Sequence, residues 1–310
     1  MAVCVNAVVA SAARENPHQW GKYFGLGKSH MSASWGKKLQ GKETSYLNIL
    51  DADAAWSAVC EFTDPTAVFV KHANPSGIAS HENINEAFQR AYDADRLSAF
   101  GVVIALNREC SAAIAQKIID QKMFVEVIIA PSFENKVLEI LQQKPNIRVI
   151  VAPSPSPSPS PIYRSVLGGM LLQNADTRVI TEKDLTVVTK KKPTPEQITD
   201  LLFAWKCVKY AKSNAIVFAK DRVTVVIGAG QTSRVDATWI AAKRAGDKST
   251  GAVMASDAFF PFPDSVEEAA KHGITAIIQP GGSVKDQEVF KKAEELGLVM
   301  VTTGVRAFRH

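Results

Sequence analysis

Short runs rich in Val and Ile recur along this chain, and stretches with helical spacing fill the gaps between them. Candidate strands span 67–71, 100–106, 125–130, 147–151, 166–172, 215–219, 223–227, 252–255, 275–278 and 298–301. Candidate helices span 52–62, 84–94 and 111–121. An apolar run without polar alternation is a strand buried on both faces, so helices must cover both sides of the sheet. The alternation of the two patterns therefore implies an α/β fold with a largely parallel or mixed sheet.

At 310 residues the chain has room for about two domains. The expected joint is Pro153-Ser154-Pro155-Ser156-Pro157-Ser158-Pro159-Ser160-Pro161. Proline fixes φ and lacks a donor, so this repeat is an extended tether of about 25 Å and not a central element. The expected division is an extension at 1–13, a first unit at 14–152, the tether at 153–161 and a second unit at 162–310. The two sides share an echo. Ala55-Trp56-x-x-Val59 precedes Ala67-Val68-Phe69-Val70-Lys71, and Ala204-Trp205-x-x-Val208 precedes Ala215-Ile216-Val217-Phe218-Ala219-Lys220. A duplicated unit and chance likeness both account for it. Duplication would give two equivalent packed units with a cleft between them.

Composition excludes several classes. The net charge of +5 is mild, and Lys190-Lys191-Lys192 is the one basic run, which reads as a solvated turn. No nucleic-acid signature and no membrane-spanning run is present. Cys4, Cys60, Cys110 and Cys207 are far apart, with no C-x-x-C pair for zinc or a disulfide framework. The first residues lack a basic n-region, so a cytoplasmic location is expected.

The segment Lys71-His72-Ala73-Asn74-Pro75-Ser76-Gly77 concentrates the chemistry. It reads as a strand ending on Lys-His and breaking at Asn-Pro and Ser-Gly, and strand ends are where open α/β sheets carry their sites. A lysine beside a histidine supplies a cation, a base and an acid. Zinc nucleobase deaminases use H-x-E followed by P-C-x-x-C. Here the motif is His72-Ala73-Asn74, and no P-C-x-x-C exists, which argues against hydrolytic deamination by zinc.

Further along, Gly228-Ala229-Gly230 lies between a strand and a helix, where backbone amides can cradle a phosphate, but Ser233 stands at the third glycine of a dinucleotide fingerprint. Ser233 with Asp236, Ser265 with Glu268 and Ser283 with Asp286 have capping-box spacing. Arg234 opposes the helix dipole, which hints that it is held for a ligand or partner. The stretch 255–264 carries Phe259, Phe260 and Phe262 with Pro261 and Pro263. It is either core beneath a loop or an apolar wall for a flat heterocycle, with Asp257 or Asp264 reading ring N–H groups. The ending Arg306-Ala307-Phe308-Arg309-His310 suggests a docked terminus.

Taken in order, Glu15-Asn16-Pro17-His18-Gln19, Lys71 to Pro75, Ser98-Ala99-Phe100-Gly101, Lys212-Ser213-Asn214-Ala215, Gly228 to Gln231 with Ser233-Arg234, 255–262, Gln279 to Ser283 and Arg306 to His310 resemble the transformylase part of the AICAR transformylase/IMP cyclohydrolase family. The resemblance covers roughly residues 14–310 apart from the tether. It implies two tandem cytidine-deaminase-like three-layer domains with mixed sheets and no catalytic zinc. It also implies formyl transfer from 10-formyltetrahydrofolate to the 5-amino group of AICAR, giving FAICAR, in homodimers with sites shared across the interface.

By the same resemblance His72 is the base, Lys71 stabilises the oxyanion or protonates the departing folate nitrogen, and Asn214 orients the amine or formyl oxygen. Asn48, Gly101, Glu126, Arg234, Val235, Phe259 and Arg306 match substrate-contact positions. Asp264, Phe259, Pro261, Phe308 and His310 match positions near the folate or the AICAR ring. The family's Arg-Tyr-Gly-x-Asn-Pro-His-Gln pattern departs here: Ala12 stands at its arginine and Arg14 at its glycine, so Arg14 is the residue to replace that phosphate contact. Only about a dozen residues precede the first motif, so a separate IMP cyclohydrolase is expected to close the ring. Two other readings stand beside the enzyme: a catalytically impaired nucleotide- or folate-binding homologue, and an α/β interaction module for an anionic partner.

Overall fold

The computed structural model describes residues 7–12, 18–26, 36–152 and 161–310. Arg14, most of the first motif and nearly all of the Pro-Ser tether lie outside the described residues. β1 (Ala7–Ala12) and β2 (Gly21–Leu26) pair antiparallel as a separate ribbon. The first half then runs β3 (Lys37–Gln40), α1 (Tyr46–Val59), β4 (Thr66–Lys71), β5 (Asn74–Ser80), α2 (Ile84–Ala94), β6 (Phe100–Leu106), α3 (Ala112–Asp120), β7 (Phe124–Ala130), α4 (Asn135–Leu141) and β8 (Arg148–Val151). A hairpin of β9 (Ile162–Val166) and β10 (Gly169–Gln173) follows. The second half runs β11 (Thr186–Val187), α5 (Pro195–Val208), β12 (Ile216–Lys220), β13 (Val223–Gly228), α6 (Arg234–Ala245), β14 (Val253–Ser256), α7 (Asp264–Lys271), β15 (Ala276–Gln279), α8 (Asp286–Glu295) and β16 (Val299–Thr302).

Twelve strands form one mixed sheet in the order β11-β16-β15-β14-β12-β13-β5-β4-β6-β7-β8-β3. The order reads the same from either end when each strand is exchanged for its counterpart in the other half. In each half the outer strands run parallel, β6 to β7 to β8 and β14 to β15 to β16. In each half a tight hairpin, β4–β5 or β12–β13, lies at the centre. The halves meet edge to edge where Val223 pairs with Ala79 and the Thr224 hydroxyl accepts the Ile78 N–H at 2.9 Å.

The apolar runs place side chains on both faces, as continuous hydrophobicity requires. On one face Val68, Val70 and Val103 share a single core with Val217, Ile278 and Val301, covered by Trp56 of α1 and Trp205 of α5. On the other face the cores are separate. Phe69, Ile104 and Ile128 pack with Phe88, Ile114 and Leu141 of α2, α3 and α4. Phe218, Met254 and Met300 pack with Ala241, Val266 and Val289 of α6, α7 and α8.

Local sequence explains most element boundaries. Ser45 and Asn48 form a reciprocal capping box that starts α1 well before the expected residue 52. Thr194 and Gln197 do the same for α5, with Pro195 in its first turn. Three expectations fail. The run 166–172 is no single strand: Leu167-Gly168 turns the chain, with Gly168 at φ +75°, and makes the β9–β10 hairpin. Neither Ser233 nor Ser265 caps a helix by its side chain. Ser265 is buried inside the first turn of α7, where its N–H donates to Asp264 at 2.7 Å. The Ser283–Asp286 pair is reciprocal as expected, just ahead of α8: the Ser283 hydroxyl accepts the Lys285 N–H at 3.1 Å, and the Asp286 carboxylate accepts the N–H groups of Gly282 and Ser283.

Candidate active site

As expected, a strand ends here: Lys71 closes β4, and His72 with Ala73 turns the chain straight back into β5 as a two-residue hairpin. Lys71 pairs with Asn74, so His72 and Ala73 form the whole loop, both left-handed at φ 55° and 56°. Such a type I′ turn matches strand twist but costs a non-glycine residue about 1–2 kcal/mol per position. The expected break at Asn-Pro and Ser-Gly is the start of β5. Proline is tolerated there because Pro75 sits at a register shift in the ladder, between Phe69 and Val70. Gly77 serves packing: a Cβ on it would lie 2.1 Å from the Ala91 carbonyl oxygen of α2.

What holds the turn is Asp51, a residue outside the motifs named above. Its buried carboxylate, on α1, accepts the Ala73 N–H at 2.6 Å and the His72 N–H at 3.2 Å. The neighbouring Lys71 ammonium donates to the Phe100 carbonyl at 2.6 Å and lies 6.0 Å from the Phe100 ring. Gly101, at φ +74°, follows directly. His72 itself is exposed. Asn48 is buried one helical turn before Asp51, its side chain closing the α1 capping box.

The turn docks against the second half. Asn74 Oδ1 accepts the Lys212 N–H at 3.0 Å, and Asn74 Nδ2 donates to the His72 carbonyl at 3.4 Å. The Lys212-Ser213-Asn214 segment therefore sits against the Lys71-His72 turn. The Ser213–Asn214 peptide is cis. Asn214 Nδ2 donates to the Gln231 carbonyl at 3.0 Å, and its Oδ1 accepts from Arg234 Nη2 at 2.7 Å. Gly230, at φ +70°, donates its N–H to the Lys212 carbonyl at 2.7 Å.

Arg234 is buried, and its guanidinium is paired inside the protein. It binds Asp257 and donates to Ser256 Oγ at 2.9 Å. Asp257, fully buried, also accepts from Ser213 Oγ at 2.5 Å and from the Ala215 N–H at 3.1 Å. Arg234 thus orients Asn214 from beneath, and Asp257 anchors the segment. Gly228 lies against α6, where a Cβ would come 2.3 Å from the Ala237 carbonyl oxygen.

The C-terminus is docked here as well. The Ser213 N–H donates to the Arg309 carbonyl at 2.9 Å, and the Ala307 N–H to the Asp257 carbonyl at 2.8 Å. Arg309 stacks on Tyr210 at 5.0 Å, whereas Arg306 is exposed and stacks on Phe308 at 5.2 Å, which in turn lies 5.7 Å from the His310 ring. The aromatic stretch divides its roles. Phe260 is core, Phe259 is half-buried, and Pro261, Phe262 and Asp264 are exposed. Glu126 is paired with Arg148 at 2.7 Å between β7 and β8, and Val235 is half-buried at the start of α6. Glu126 bonds Arg148 and Asp264 bonds Ser265, and neither bond is to the hairpin.

The sequence does carry a signal for Asp51. Both echo segments contain Asp-x-x-x-Ala-Trp, with Asp51 before Ala55-Trp56 and Asp200 before Ala204-Trp205. Asp200 accepts the Asp221 and Arg222 N–H groups at 2.9 and 2.8 Å, and those two residues are also left-handed, at φ 52° and 57°. The two clamps stand at one offset along the chain (200 − 51 and 220 − 71 are both 149).

Fold and site together define a mixed α/β protein whose central hairpin presents a lysine–histidine pair beside a fixed asparagine, an arrangement suited to acid–base group transfer. Residues 13–244 match the family model described as the AICARFT/IMPCHase bienzyme, and the chain belongs to that family. It is 50% identical to the bifunctional purine biosynthesis protein PurH of Bacillus cytotoxicus over 298 residues. The PurH proteins of Anoxybacillus flavithermus and Oceanobacillus iheyensis are each 51% identical over the same length. Each match covers 96% of this chain and 58% of the relative, so the chain spans less than two thirds of their length. Among the described residues no helix is long and apolar enough to cross a membrane.

Proposed function

We propose that the chain transfers the formyl group of 10-formyltetrahydrofolate to the 5-amino group of AICAR, giving FAICAR and tetrahydrofolate in purine biosynthesis. The observation that carries this reading is the Lys71-His72 turn, held by Asp51 and docked through Asn74 on the Lys212-Ser213-Asn214 segment, within the region that matches the bienzyme family. The AICAR amine is conjugated with its imidazole and is a weak nucleophile. As its nitrogen attacks the formyl carbon, His72 takes the amine proton, a step worth about 10²–10⁴-fold. Lys71 steadies the oxyanion, and the C–N bond to the folate breaks as that nitrogen gains a proton. Asn214, braced by Arg234 and Gln231, orients the amine or the formyl oxygen. The scheme needs no metal, because Lys71 is the cation at the reacting centre.

Exposed Arg306, with Arg14, is suited to the nucleotide phosphate. Phe259, Pro261 and Phe308 supply apolar walls, with Asp264 and His310 as polar anchors. Asn48, Gly101, Glu126 and Val235 complete the substrate contacts, and Arg234 acts through Asn214. We read the two halves, 14–152 and 162–310, as tandem deaminase-like units, which the palindromic strand order supports. We also read the working form as a cytoplasmic homodimer that shares its sites. The β9–β10 hairpin supports this, since both strands are exposed throughout and carry Ile162, Met170, Leu171 and Leu172 into solvent.

Mixing the protein with AICAR and 10-formyltetrahydrofolate should form tetrahydrofolate and FAICAR in equal amounts. AICAR binding without turnover would favour an impaired binding homologue, the reading raised by Ala12 and Arg14. Binding of neither ligand would sink both.

A further inference from the structure

Asp51 holds its two N–H groups through a pair of bonds that the second half reproduces on a turn without the Lys-His pair. We propose that Asp51 is the positioning residue that sets the geometry of Lys71 and His72; this rests on the formyl-transfer reading of that pair. A two-residue loop with both residues left-handed and neither of them glycine does not hold itself. Its two inward N–H groups need an acceptor, and one carboxylate spans both. Because Asp51 is buried on α1, whose Ala52, Ala55, Trp56 and Val59 pack in the core, the loop is tied to a helix fixed on the sheet. Lys71, immediately before the loop, is fixed at its other end by the Phe100 carbonyl. Loss of the clamp frees His72 to swing while Lys71 stays, and the pair loses its mutual geometry.

The Asp200 turn is an internal control, because the same bonds hold Asp221 and Arg222, to which no part in the chemistry is assigned. Asp51→Asn keeps the shape but can accept at only one oxygen. It should lower kcat about 10²-fold, the scale of a small misplacement of a catalytic group, with the KM values for both substrates nearly unchanged. Asp200→Asn should loosen its own turn and leave kcat within about twofold. Wild-type kcat in Asp51→Asn, or an equal loss in both variants, would overturn the proposal, the second result marking a general loosening.

Amide hydrogen exchange reads the clamp without any substrate. In the wild-type protein the His72 and Ala73 amides should be protected like those of Asp221 and Arg222, and in Asp51→Asn that protection should fall. Exchange of His72 and Ala73 at unfolded-chain rates in the wild type would overturn the clamp, even if no soluble variant were obtained. Intact protection in a wild-type protein that transfers no formyl group would defeat the function and leave the clamp standing.

Discussion

A carboxylate that receives two backbone N–H groups is ordinarily held charged, yet burial has the larger effect on Asp200. Burial raises its pKa above the ordinary 3.8, against the opposing pull of the Arg222 and Asp221 N–H groups. The folded protein therefore keeps this proton to higher pH than the unfolded chain does. The resulting stability is fully present below pH 3.8 and is lost as pH rises through the raised value. Asp200→Asn should flatten that part of the stability–pH curve in urea titrations, and an unchanged curve would contradict the assignment. Lys71 and His72 stand out in the sequence because a cation and an imidazole lie side by side after an apolar run, whereas Asn214 is indicated only by the family resemblance. Asp51 makes its contact across 22 residues, and only the Asp-x-x-x-Ala-Trp pattern it shares with the Asp200 segment marks it in the sequence. Arg234 was legible as unusual but not as internal, since its partner Asp257 lies 23 residues away.

At the scale of elements, strong periodicity fixed what could be read. β6 and α2 occupy 100–106 and 84–94 as the patterns indicate. β5 escaped because Asn74, Pro75, Ser76 and Gly77 all have turn propensity, and the ladder overrides it through a bulge at Pro75. Glycine there answers to helix packing. Gly77→Ala must displace the Ala91 carbonyl oxygen and should destabilise the protein by about 1–3 kcal/mol, read from the urea midpoint. A wild-type midpoint would mean that β5 and α2 are not packed this closely. The Gly-Ala-Gly turn yields a related lesson. Gly228 is needed where the backbone meets α6, so the spacing that looked like a phosphate cradle also has a packing cause.

At the scale of the molecule, the twelve-stranded sheet is built from two like halves, and what joins them is polar as well as apolar. Beside the shared core, Lys209 at the end of α5 pairs with Glu61 just after α1 at 2.9 Å, both nearly inaccessible. Tyr210 donates to the same carboxylate at 2.8 Å, and burial beside Glu61 pushes its phenol pKa upward. Lys209→Met strands a buried carboxylate and should cost about 3–5 kcal/mol by chemical denaturation. A loss below about 1 kcal/mol would show that the pair does not couple the halves.

Formyl transfer at the Lys71-His72 turn, as proposed, is decided by steady-state turnover of His72→Ala with AICAR and 10-formyltetrahydrofolate. Expected is a fall in kcat of about 10²–10⁴-fold, with calorimetric AICAR affinity close to wild type. Turnover by His72→Ala at the wild-type rate would contradict it.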